Sequence, residues 1–161
     1  MRDAPRNQAG EPHALELDLP AAHSAVRMAR AVLRRFARME GAPAREIETM
    51  EFIASELLAN AVDHGGGNQA MEEKDAGDVR MSFVAFVRTS GWEIQVGDQG
   101  GGDPEELAPF LQKDEMPDLE NDRGRGFYLM AQMVTDLRVS RTRDQRGLLF
   151  TAVRVYGTNE R

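Results

Sequence analysis

Glu56, Asn60 and Asp63 fall four and three residues apart in Glu56-Leu57-Leu58-Ala59-Asn60-Ala61-Val62-Asp63-His64, a spacing that puts them on one face of a helix. A carboxylate can take the proton of an attacking hydroxyl or water, and an amide oxygen suits a hard cation such as Mg²⁺. Glu56 is therefore a candidate base and Asn60 a candidate metal ligand, with Asp63 and His64 beside them. An ordinary solvated face would look the same, and His64 also reads as a plain end-of-helix histidine.

A second block is Asp98-Gln99-Gly100-Gly101-Gly102. Counting by two from Trp92 through Ile94 and Val96 carries Asp98 onto the same, core-directed face of a strand. A carboxylate aimed at an apolar face is costly unless a donor meets it. Either Asp98 caps its glycine turn, or it accepts from a ligand amine such as that of adenine, with Gly100 and Gly102 admitting the ligand to the backbone. The third block, Gly124-Arg125-Gly126-Phe127, precedes a helical pattern. Helix starts gather unpaired N–H groups and partial positive charge that hold phosphate, and Arg123 and Arg125 add to it; a purely structural turn is the other reading.

The elements that must position these groups follow from periodicity. Leu15–Leu19 alternates as a short edge strand closed by Pro20. Helical spacing runs from Ala21 to Met39, with Ala25, Ala29, Val32, Leu33 and Phe36 inward, and again from about Pro43 to His64, with Ile47, Met50, Ala54, Leu57, Leu58 and Ala61 inward. Gly65-Gly66-Gly67 ends that helix in the left-handed conformation, and residues 68–78 form a loop. Val79–Val87 and Trp92–Val96 alternate as paired strands. A polar stretch, 103–122, holds a short helix near 105–111 and reads as a surface loop or as a lid over a ligand. Helix returns at Phe127–Met133, with Met130 and Met133 as core filler, and Leu137–Thr142 and Leu148–Val155 close a hairpin. The fold class is α+β, an antiparallel sheet with helices on one face. A single domain covers 13–157, between tails at 1–12 and 158–161.

Composition narrows the function. The 161 residues contain no cysteine, which excludes disulfides and thiolate metal sites. The net charge of −7 argues against direct nucleic-acid binding. No apolar run reaches membrane length and the N-terminus lacks a signal-type apolar region, so the expected location is the cytoplasm, off the membrane. The first helix nevertheless carries Arg27, Arg30, Arg34 and Arg38 at helical spacing, either a solvated face or a docking surface for an acidic partner.

In order and separation the three blocks resemble the N, G1 and G2 boxes of the ATPase superfamily shared by gyrase, Hsp90, histidine kinases and MutL. Leu19-Pro20-Ala21, Ser55-Glu56-Leu57-Leu58-Ala59-Asn60-Ala61 and Gly124-Arg125-Gly126-Phe127-Tyr128-Leu129-Met130 narrow the likeness, over about 15–155, to the small anti-sigma factor and serine kinase family of the RsbW type. That resemblance implies a Bergerat ATP-binding fold, a two-layer sandwich with a mixed, mostly antiparallel sheet. It implies ATP/ADP and Mg²⁺ as cofactors, and a partner-switching circuit. In that circuit a sigma factor or other regulator is bound, and a serine on a STAS-domain anti-anti-sigma factor is phosphorylated.

Carried over residue by residue, Glu56 is the base and Asn60 the Mg²⁺ ligand. Asp98 is the adenine acceptor, and Gly100, Gly102, Gly124 and Gly126 are the phosphate and lid contacts, with Asp63, His64, Arg125 and Phe127 at the same site. The resemblance also implies a homodimer through the sheet and N-terminal region. Two positions depart from the pattern. The superfamily has Gly-Thr on the late strand where this chain has Gly147-Leu148, leaving Thr151 as the substitute on the face of Leu149; Asp122 precedes Arg123 where some members have arginine. A module that binds nucleotide and sequesters its partner without phosphotransfer is the alternative function.

Overall fold

Strict alternation builds the sheet. The structure, a computed structural model, describes residues 13–65, 79–112 and 122–157; the two expected tails, Gly66, Gly67, residues 68–78 and Lys113 lie outside them. The described strands are β1 (Ala14–Pro20), β2 (Arg80–Arg88), β3 (Gly91–Gly97), β4 (Asp136–Arg141) and β5 (Leu148–Val155). They form one sheet in the order β1-β2-β3-β5-β4, and every pairing among them is antiparallel, where the resemblance implied a mixed sheet. Register fixes one apolar face: Phe83 lies opposite both Leu17 and Val96, and Val96 opposite Phe150.

Helices α1 (His23–Met39) and α2 (Ala44–His64) pack on each other and on the sheet. Ala29, Leu33, Ala37, Met50, Ile53, Leu57 and Leu58 are fully enclosed between them and Phe83, Trp92 and Ile94. Burying each large side chain contributes about 1.5–3 kcal/mol. The turn between the helices is a Schellman motif: Ala42 N–H donates to Ala37 O at 2.9 Å and Gly41 N–H to Arg38 O at 3.1 Å, with Gly41 at φ +83°.

Short helix α3 (Pro104–Leu107) is capped by Asp103, whose carboxylate accepts from Glu105 N–H, and runs into a 3₁₀ turn at Ala108–Leu111. Helix α4 spans Asp122–Met133.

Three expectations are corrected. The inward stripe of α1 is Ala25, Val26, Ala29, Leu33 and Ala37, while Val32 is 36% exposed and Phe36 is only half-buried. Met133 likewise points out, although Met130 is core. Gly65 itself, as the C-cap of α2, has φ −90°, and the left-handed closure expected of Gly65-Gly66-Gly67 falls on glycines outside the described residues. At Gly65 crowding requires glycine, since a Cβ would lie 2.6 Å from both Asp98 Cβ and Ala61 O. Finally, α4 starts ahead of the third glycine block rather than after it, so Gly124 and Gly126 sit inside its first turns.

At the end of α2 remote from that glycine, Glu46 is 5% exposed. It accepts from Trp92 Nε1 at 3.3 Å and from Arg154 Nε at 3.1 Å. This buried ion pair ties the start of α2 to β3 and β5.

Candidate active site

The last three turns of α2 face the first turns of α4 across a cleft of about 170 Å³. Its walls include Glu56, Asn60, Asp63 and His64 from α2 and Arg123, Gly126 and Phe127 from α4. Gly126 faces the Glu56 carboxylate: a Cβ there would lie 3.4 Å from Glu56 Oε2, in ordinary contact. Phe127 anchors α4 to the sheet by stacking on Phe150, with ring centroids 5.5 Å apart and planes 19° from parallel. The polar face of α2 is thus a cleft wall and not merely solvated.

Arg123 lines this cleft and reaches across to α2. Its Nε donates to Asn60 Oδ1 at 2.9 Å, and its guanidinium carbon lies 5.5 Å from the centre of the Phe127 ring. Half-buried, Arg123 has its charged form disfavoured by desolvation, and the negative charge of Asp98 counters this. Partial burial and the Arg123 charge hold His64 below its ordinary pKa, against the opposing charge of Asp63. Asp63 in turn accepts from His23 Nε2 at 3.0 Å, tying the mouth of the cleft to the start of α1.

Asn60 uses only half of its amide. Nδ2 is buried with no hydrogen-bond partner, a donor aimed where an acceptor would satisfy it. Among the described residues no group of three or more His, Cys, Asp or Glu could cage a metal. Mg²⁺ does not need one, because it is held through one or two protein oxygens together with water and substrate phosphates. One amide oxygen beside an unsatisfied amide donor fits a Mg²⁺–phosphate pair.

Asp98 lies one layer away. It is 6% exposed, and its Oδ1 accepts from Leu148 N–H at 2.8 Å and from Gly100 N–H at 3.1 Å. Oδ1 therefore caps the glycine turn, while Oδ2 lies against Gly65, 2.7 Å from where a Cβ would stand. Gly147 presses on the same residue, and a Cβ there would overlap Asp98 O at 1.8 Å. Burial raises the Asp98 pKa above its ordinary value, opposed by the Leu148 and Gly100 N–H groups and by Arg123. Asp98 borders a neighbouring cleft of about 370 Å³ with Arg80, Gln99 and Thr142. Its link to the first cleft runs through Gly65 and the charge of Arg123.

The structure thus gathers Glu56, Asn60, Asp63, His64, Gly126 and Phe127 in one cleft, with Asp98 and Gly100 joined beside it. Gly102 lies further along the chain, and its carbonyl accepts from Arg141 at 3.4 Å. Gly124 is buried in α4, and Arg125 is exposed on it. Thr151 does not join the site: it pairs with Gln95 and Arg138, whereas Phe150 pairs with Val96 on the face of Asp98. It points from the opposite face of the sheet. Leu148 N–H, from the backbone, fills the place beside Asp98 instead. The hold of Arg123 on Asn60 is not legible from local sequence, since the two are 63 positions apart.

A family model described as a histidine kinase-like ATPase domain matches residues 19–153. Among solved structures, a chain in the crystal structure of the SiaB-SiaC complex from Pseudomonas aeruginosa is similar. It is 18% identical, with a TM-score of 0.65, over 86% of this chain and 88% of that one. No curated protein matches the sequence.

Proposed function

The chain belongs to the histidine kinase-like ATPase domain family, and from that premise we propose that it is a partner-switching regulator and protein serine/threonine kinase. In this reading it sequesters a sigma factor or other regulator, and it phosphorylates a serine on a STAS-domain antagonist with ATP and Mg²⁺. The observation that carries the proposal is the cleft shared by Glu56 and Asn60, one helical turn apart, with Gly126 at the Glu56 carboxylate. The similarity to a chain of the SiaB-SiaC complex supports a protein partner.

The roles follow from the chemistry of each group. Glu56 takes the proton of the serine hydroxyl as its oxygen bonds to the γ-phosphorus and the bond to ADP breaks. Asn60 offers Oδ1 to Mg²⁺, which when bound offsets phosphate charge. Asp98 accepts from the adenine amine, and Gly124, Arg125 and Gly126 lie on the phosphate side. No helix among the described residues is long and apolar enough to cross a membrane.

The test is single-turnover transfer to a serine-bearing STAS partner. Glu56→Gln keeps size and helix preference and removes the base, so transfer should fall about 10²–10⁴-fold while Mg-ATP and partner binding persist. The sequestering module without phosphotransfer is the second reading, favoured by the hold of Arg123 on the Asn60 oxygen. Wild-type protein that binds ATP and partner yet transfers nothing would establish that reading and end the kinase assignment.

A further inference from the structure

Arg123 Nε donates to Asn60 Oδ1, the amide oxygen that the nucleotide reading gives to a cation, in a cleft that Asn60 and Arg123 both line. We propose that Arg123 is a tethered competitor of the metal at Asn60, and that it makes the site select a nucleoside triphosphate over a diphosphate. The inference rests on the nucleotide reading above and adds the residue that sets its selectivity.

The competition follows from charge. An amide oxygen has two lone pairs, but a guanidinium and a divalent cation on the same oxygen repel strongly in a half-buried place where water screens them little. One must leave. Arg123 is held where it is by three features: the 2.9 Å bond to Asn60, the face of Phe127, and the negative charge of Asp98. Space points the same way. A cleft of about 170 Å³ is smaller than the roughly 300–1,000 Å³ of ordinary small-molecule sites, and Arg123 is part of its wall.

Selectivity follows from where the displaced cation goes. Arg123 is half-buried on the first turn of α4, so once displaced it needs an anion within reach to offset its lost partners. Mg²⁺-triphosphate carries one more negative charge than Mg²⁺-diphosphate and can supply that anion better. The triphosphate recovers the cost of displacing Arg123, and the diphosphate recovers less of it. Asn60 Nδ2, buried and unpartnered, is a second donor for the incoming phosphate oxygens.

The experiment is calorimetry of Mg-ADP and Mg-ATP binding to wild type, Arg123→Met and Arg123→Lys, with the free Mg²⁺ needed for half-maximal ADP binding as a second readout. Methionine keeps the stem on Phe127 without charge, lysine keeps the charge, and thermal melts without ligand establish that each variant is folded. Arg123→Met should bind Mg-ADP about ten- to hundredfold more tightly, the worth of one charge-assisted hydrogen bond, and at lower Mg²⁺. Mg-ATP should gain less or weaken, so the ATP-to-ADP preference collapses, and Arg123→Lys should retain most of it. If Arg123→Met weakens both nucleotides alike, Arg123 is a plain phosphate contact and the competition is refuted. Unchanged affinities for both would make it a bystander and refute it too. A wild-type protein that binds neither nucleotide would overturn the nucleotide reading as well, so the two failures are distinct.

Discussion

Replacing Asp98 by asparagine should separate affinity from stability. Oδ1 accepts two backbone N–H groups, from Leu148 and Gly100, and an asparagine oxygen can accept both in the same geometry. Making those bonds neutral costs roughly 1 kcal/mol each. Against that loss, the buried carboxylate no longer has to hold a charge. The raised pKa shows that burial outweighs the stabilising N–H groups and Arg123. The neutral form is thus the one the fold prefers, and Asp98→Asn should leave unfolding free energy at neutral pH within about 1 kcal/mol of wild type in urea titrations.

Binding should respond differently. The asparagine NH₂ takes the place of Oδ2 beside Gly65 and turns a donor toward the donating adenine amine. Losing a hydrogen bond to a charged group costs roughly 1.5–3 kcal/mol, or about ten- to hundredfold in ATP affinity by calorimetry. The pH dependence has a definite sign. The folded pKa lies above the unfolded one, so the native state binds the proton more tightly. As pH falls through the folded pKa, wild type therefore gains stability relative to the variant, and the gain is complete below the ordinary 3.8. A variant that loses several kcal/mol of stability and keeps its ATP affinity would show that Asp98 is a turn cap and no more. Equal affinity of the wild type for ATP and GTP would likewise refute the adenine role.

Glu46→Ala should be strongly destabilising, by about 3–5 kcal/mol in urea unfolding, because it leaves Arg154 charged and enclosed; nucleotide affinity should hardly move, since Glu46 lies at the far end of α2. Gly65→Ala should cost about 1–3 kcal/mol through overpacking against Asp98 and Ala61 O. It should also weaken ATP binding by displacing the Asp98 carboxylate, and a stabilised variant with unchanged affinity would contradict the crowding seen there.

Periodicity made most of the architecture readable. Leu57, Leu58 and Ala61 recur at helical spacing and are buried as that spacing requires, and Trp92, Ile94 and Val96 are buried in turn, with Asp98, just past the end of β3, buried after them. What failed depended on neighbours. Val32 belongs to an apolar pattern, but only packing against α2 and the sheet decides which side of α1 is covered. Gly124 and Gly126 read as a loop because glycine disfavours helix interiors, yet both lie inside α4. Thr151 could be judged only once its partners Gln95 and Arg138 were known. The Arg123–Asn60 and Glu46–Arg154 contacts join positions 63 and 108 apart, and no local pattern encodes such pairings.

The strand order has a consequence for how the chain is made. Among the described strands β5 comes after all the others in sequence, but it lies between β3 and β4 and pairs with both. Until Leu148–Val155 has been synthesised, β4 has no neighbour, β3 has an open edge, and Asp98 lacks the Leu148 N–H that meets it. An unpaired edge on an apolar strand invites association with other chains, and pairings distant in sequence form slowly. Closure of the sheet and completion of the Asp98 side of the site are therefore one event, which topology makes wait on Leu148–Val155.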